Sequence, residues 1–107
     1  MVSVFYYDEE TGDTIDSLQP EECFKQKALS LFNVLTQTPG SFFGLVNKDN
    51  STLQFICEDE DTWRVEIPIP ERDGVLFCYA KTETCKEFIK CVYENINIAD
   101  YVQMDFN

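Results

Sequence analysis

The sequence predicts a single α+β domain, an antiparallel sheet of four to six strands with two helices packed on one face. Three observations carry that expectation. Apolar residues recur with a period of two between residues 42 and 80, whereas two flanking segments, near 20–37 and 82–95, repeat them every three or four positions. Hydrophobic residues make up 44% and aromatic residues 14% of a chain of 107, which supports one core and leaves no room for two. No repeat, low-complexity run or linker divides it, so residues 1–107 read as one domain.

Residues 2–7 form the expected first strand, and Asp8-Glu9-Glu10-Thr11-Gly12-Asp13 the loop after it. That loop does not match a calcium site, because its glycine comes too early and no Glu closes it, so its acids read as solvated. Pro20-Glu21-Glu22 is expected to open a helix, since proline suits the first turn and carboxylates favour the positive end of the dipole. Its run to about Thr36 or Gln37 would bury Phe24, Ala28, Leu31, Phe32 and Leu35 on one face, and Pro39-Gly40 would stop it.

Strands are then expected at 42–46, 52–57 and 63–69, joined by Asn47-Lys48-Asp49-Asn50 and Glu58-Asp59-Glu60-Asp61. Pro68 and Pro70 cannot donate to a ladder, so the third of these strands must end, or lie at an edge, near them. The nearly continuous apolar run 75–80 reads as a central strand covered on both faces. Thr84-Cys85-Lys86-Glu87 has the form of a capping box, with Thr82 as an alternative cap one turn earlier. The helix that follows would bury Cys85, Phe88, Ile89, Val92 and Ile96, and residues 101–106 would form a short closing strand or a loose end.

Composition narrows the function. Twenty Asp and Glu face eight Lys and Arg, a net charge of −12, and there is no histidine. Such a surface repels phosphate backbones and anionic membranes and steers toward a basic protein, so neither nucleic acid nor membrane is an expected partner. Without histidine, Ser/His/Asp and Cys/His nucleophile systems are excluded. No Gly-rich phosphate loop or GxSxG elbow is present. Glu58 and Asp61 would suit a glycosidase pair only within a deep sugar cleft, which a domain this small rarely offers. The chain is therefore expected not to be an enzyme and to need no cofactor or metal. Cys23, Cys57, Cys78, Cys85 and Cys91 are odd in number and lack a CxxC pair. They read as free thiols in a reducing compartment. With no secretory signal pattern and no run of about 18 apolar residues, a cytoplasmic location is expected.

Binding suits the same residues better. Glu58, Asp59, Glu60 and Asp61 concentrate charge at one turn, Trp63 follows as an aromatic anchor beside that rim, and Glu66 lies on the wetter face of the next strand. Trp63 also falls in register with Val65 and Ile67, which would place it in the core instead.

The stretch 40–96 resembles small bacterial proteins of the polymorphic-toxin immunity type. The residues that carry the likeness are Gly40-Ser41-Phe42-Phe43-Gly44-Leu45-Val46, Leu53-Gln54-Phe55, Trp63-Arg64-Val65-Glu66-Ile67-Pro68-Ile69-Pro70, Gly74 and the helix after it. The resemblance implies a small α+β domain that binds and blocks a cognate toxin, often a nuclease or deaminase. Two alternatives share the charge and the element order: a small acidic secretion chaperone, which would dimerise, and a phage-encoded inhibitor that mimics DNA. The sequence is compatible with a monomer or a homodimer.

Overall fold

A computed structural model describes residues 1–107 and shows an α+β fold with two helices against one face of an open antiparallel sheet. The strands are β1 (Ser3–Tyr7), β2 (Thr14–Ile15), β3 (Glu21–Glu22), β4 (Phe42–Val46), β5 (Thr52–Asp59), β6 (Thr62–Ile69), β7 (Gly74–Ala80) and β8 (Asp105–Phe106). The helices are α1 (Lys25–Val34) and α2 (Thr82–Tyr93). Strand order is β2-β1-β4-β5-β6-β7-β8, and β3 joins β2 on the outer edge of β1. Eight strands exceed the four to six expected, because β2, β3 and β8 are two residues long. A pairing that short leaves no alternation to read. No helix is long and apolar enough to cross a membrane.

The alternation in 42–69 sets the core. Phe43, Leu45, Leu53, Phe55, Cys57, Trp63 and Val65 all point to the helical side, where Ala28, Phe32 and Leu35 of the α1 region and Cys85, Phe88 and Ile89 of α2 meet them. Phe32 is the centre of this layer, with ring centroids 5.4 Å from Phe43, 5.6 Å from Phe55 and 5.0 Å from Trp63. Each aromatic buried this way stabilises the fold by about 1.5–3 kcal/mol.

Four expectations are corrected. Pro20-Glu21-Glu22 does not open α1: Glu21 and Glu22 pair with Val4 and Ser3, and the Cys23 N–H donates to the Val2 carbonyl. The free edge of β1 supplies ladder bonds that outweigh a dipole preference of about 0.3–1 kcal/mol. The helix therefore starts at Lys25, and Phe24 is left 75% exposed rather than buried. Glu58 and Asp59 belong to β5, so the turn before β6 shrinks to Glu60 and Asp61. The capping box at Thr84 is unused, since α2 begins at Thr82 and no side chain of Lys81 caps it. The run 75–80 is not covered on both faces: no residue of β7 is fully buried, because the helices lie on one side and nothing on the other.

Pro68 acts as expected. Val75, opposite it in β7, exchanges both of its backbone bonds with Asn107, so the missing Pro68 N–H costs nothing on that side. On the other side the β5–β6 register stops at Gln54 and Glu66. Thr52 would come opposite Pro68 and find no donor there, so the two strands part. The gap opens into a cleft of about 650 Å³ bordered by Leu53, Ile67 and Ile98.

Candidate functional site

Register decides which loops meet. Tyr7 pairs with Phe42, Phe42 with Ile56, and Ile56 with Arg64. The loop that leaves β1 and the turn that leaves β5 must then lie at one end of the sheet, although some 50 residues separate them in sequence. Between them runs the connection 36–41, which ties the two together. The Glu9 N–H donates to Ser41 Oγ at 2.9 Å, and the Gly40 N–H donates to the Cys57 carbonyl at 2.9 Å. The Glu9 carboxylate lies over Gly40, 3.2 Å from where a β-carbon would stand, and Gly40 has a φ of 96° that favours glycine. The Asp61 N–H donates to Gln37 Oε1.

The acids at this end divide into two kinds. Asp8 is only 4% exposed and is a structural hub. Its carboxylate accepts from the N–H groups of Glu10 at 3.0 Å, Thr11 at 3.2 Å and Thr36 at 2.9 Å, and from the Thr36 hydroxyl at 2.6 Å. Burial opposes charging this carboxyl, but the bonds from Thr36, Thr11 and Glu10 outweigh it and hold its pKa below the ordinary 3.8. Asp61 is the second structural acid. Its Oδ1 accepts the Thr82 N–H at 3.0 Å, which caps α2 from another element, and that bond, with the Thr82 hydroxyl and Lys81, lowers its pKa. Glu9, Glu10, Glu58, Asp59 and Glu60 are the other kind: exposed, and none takes part in an ion pair. Lys81, 3.8 Å from Asp61, is the cation paired at this end.

Of the residues expected to bind a partner, Glu58, Asp59 and Glu60 stay together on the surface. Asp61 shares their turn but is occupied in capping. Trp63 is corrected from an anchor to a core residue: it is 1% exposed, tilted against Phe32, with its indole N–H donating to Thr82 Oγ1 at 2.9 Å. The alternation with Val65 and Ile67 carried the right reading. Glu66 lies on the helix-free sheet face, 2.7 Å from Arg64 Nε and accepting from Gln54 Nε2 at 2.9 Å, so its carboxylate is already engaged. Glu9 and Glu10 were the acids not singled out by the sequence; the signal for their placement was the Asp-Glu-Glu-Thr-Gly turn, whose leading Asp organises it.

No group of three or more Cys, Asp and Glu side chains is disposed to hold a metal ion. All five cysteines are free, and burial raises the thiol pKa of Cys57, Cys78, Cys85 and Cys91. What this end of the molecule offers is a fixed group of carboxylates open to solvent. No family model matches the chain, and neither does any curated protein or solved structure.

Proposed function

We propose that the chain is a binding protein that blocks a basic partner enzyme, acting as the immunity partner of a toxin that works on nucleic acid. The supporting observation is that two acidic loops, distant in sequence, share one end of the sheet and hold Glu9, Glu10, Glu58, Asp59 and Glu60 without ion-pair partners. Carboxylates so placed compete with phosphates for a lysine- and arginine-rich surface and speed encounter with it. The test is capture from lysate of the native organism by the wild-type chain and by a Glu58→Gln, Asp59→Asn, Glu60→Gln variant. A basic nuclease or deaminase should be retained by the wild type, released by salt and lost in the variant. Capture of no such enzyme, or retention indifferent to both salt and the substitutions, overturns the reading. The uncovered apolar sheet face favours a second reading, a small secretion chaperone, for which that salt-indifferent retention would be expected.

A further inference from the structure

The sheet face opposite the helices bears two successive cross-strand rows. One runs Tyr7, Phe42, Ile56, Arg64, Tyr79, and the next Phe5, Gly44, Gln54, Glu66, Phe77. The rows hold two aromatic groups with a polar strip between them. Phe42 lies 6.2 Å from Phe5 and 6.0 Å from Tyr7, while Phe77 and Tyr79 meet edge to face at 6.2 Å. The Arg64 guanidinium sits 4.1 Å above the Phe77 ring, bonded to Glu66 and to the Tyr79 hydroxyl. Phe5 lies flat across Gly44, where a β-carbon would come within 1.9 Å of the ring. Tyr79 is 56% exposed.

We infer that this face is an interface between two copies of the chain. Three features single out a second copy. The first is charge: on a molecule of net −12 the two rows hold Arg64 and Glu66, bound to each other, and one further acid, Asp105 of β8, at the far end of the second row. A basic partner finds little to neutralise there, whereas a second acidic copy meets its least repulsion. The second is size: strands of two to eight residues give a face of roughly 600 Å² per copy, so that two copies together clear the ~1,000 Å² that a specific interface needs. The third is self-complementarity. A two-fold axis parallel to the sheet and between the two faces, running across the strands midway between the two rows, places Arg64 of one copy opposite Glu66 of the other and Tyr79 opposite Phe77. It also reverses the strands, which sends the two acidic ends to opposite poles and leaves both free. An axis along the strands would bring those ends together and is disfavoured by their charge.

The experiment is sedimentation equilibrium of the purified chain, which needs no toxin or other partner, so its failure is distinct from failure of the capture test. The wild type should show twice its 12.4 kDa mass at moderate salt, more completely as salt screens the net charge. Tyr79→Glu should weaken dimerisation by about 30-fold or more, the effect of losing one hot-spot residue, with the far-UV spectrum unchanged. Val34→Glu, on the solvent side of α1 and 76% exposed, should leave the dimer intact. A wild type that stays at 12.4 kDa up to millimolar concentration overturns the inference, as does a dimer that survives Tyr79→Glu and is lost in Val34→Glu.

Discussion

Asp8 shows how one side chain can hold two distant segments together. It joins its own loop to Thr36 at the end of α1 through four hydrogen bonds to a carboxylate that solvent barely reaches. Asp8→Ala leaves these donors unpaired, and chemical denaturation should show a loss of about 2–3 kcal/mol. The same residue sets the response to acid. Because its folded pKa lies below 3.8, as does that of Asp61, their stabilisation is complete above that value and is lost as pH falls through the lower folded values. The melting temperature should therefore drop steeply below about pH 4, and less steeply in Asp8→Asn, whose hub no longer titrates. Gly44 is constrained from outside the backbone, since its φ is ordinary and the obstacle is the Phe5 ring. Gly44→Ala should cost about 1–3 kcal/mol by forcing Phe5 aside, read as a lower denaturation midpoint. Neither role is visible locally, because the residues involved, 8 with 36 and 5 with 44, come together only through the pairing of β1 and β4.

The helices illustrate competition between local preference and available partners. Proline followed by two glutamates is a sound start signal, yet Glu21 and Glu22 are taken by the open edge of β1. In α2 the Thr-x-x-Glu signal yields to a cap supplied by Asp61, which can act only because the β5–β6 turn is held against the first turn of the helix. Trp63 secures that contact through Thr82 Oγ1. Asp61→Ala should lower the melting temperature and speed amide exchange in the first turn of α2 while leaving α1 protected. Equal loss of protection in both helices would contradict the capping role. The strands were more legible than the helix ends. Residues 63–69 alternate cleanly, whereas 42–46 carries apolar residues on both faces and was legible from the turn residues 47–50 after it, across which Val46 pairs with Thr52. For β7 the pattern misled, since an apolar run is equally compatible with burial on both faces and with an apolar face left open.

Over the whole molecule, part of the net charge of −12 opposes folding: the exposed acids grouped at the sheet end repel one another. Neutralising Glu58, Asp59 and Glu60 together should raise the melting temperature at low salt, and added salt should shrink that gain. A variant that is more stable yet no longer retains the proposed partner would separate the proposed binding role of these carboxylates from any role in the fold. The sequence by itself determined the α+β class, the central hairpins, the acidic surface and the lack of histidine-based chemistry, all of which depend on composition or on residues a few positions apart. Only the tertiary structure decided that the loop 8–13 and the β5–β6 turn share one end and that Asp8 and Asp61 are tied into the fold by their hydrogen bonds. Those outcomes rest on strand order and register. A pairing between distant segments is selected by how the whole core packs, and no stretch of sequence encodes it alone.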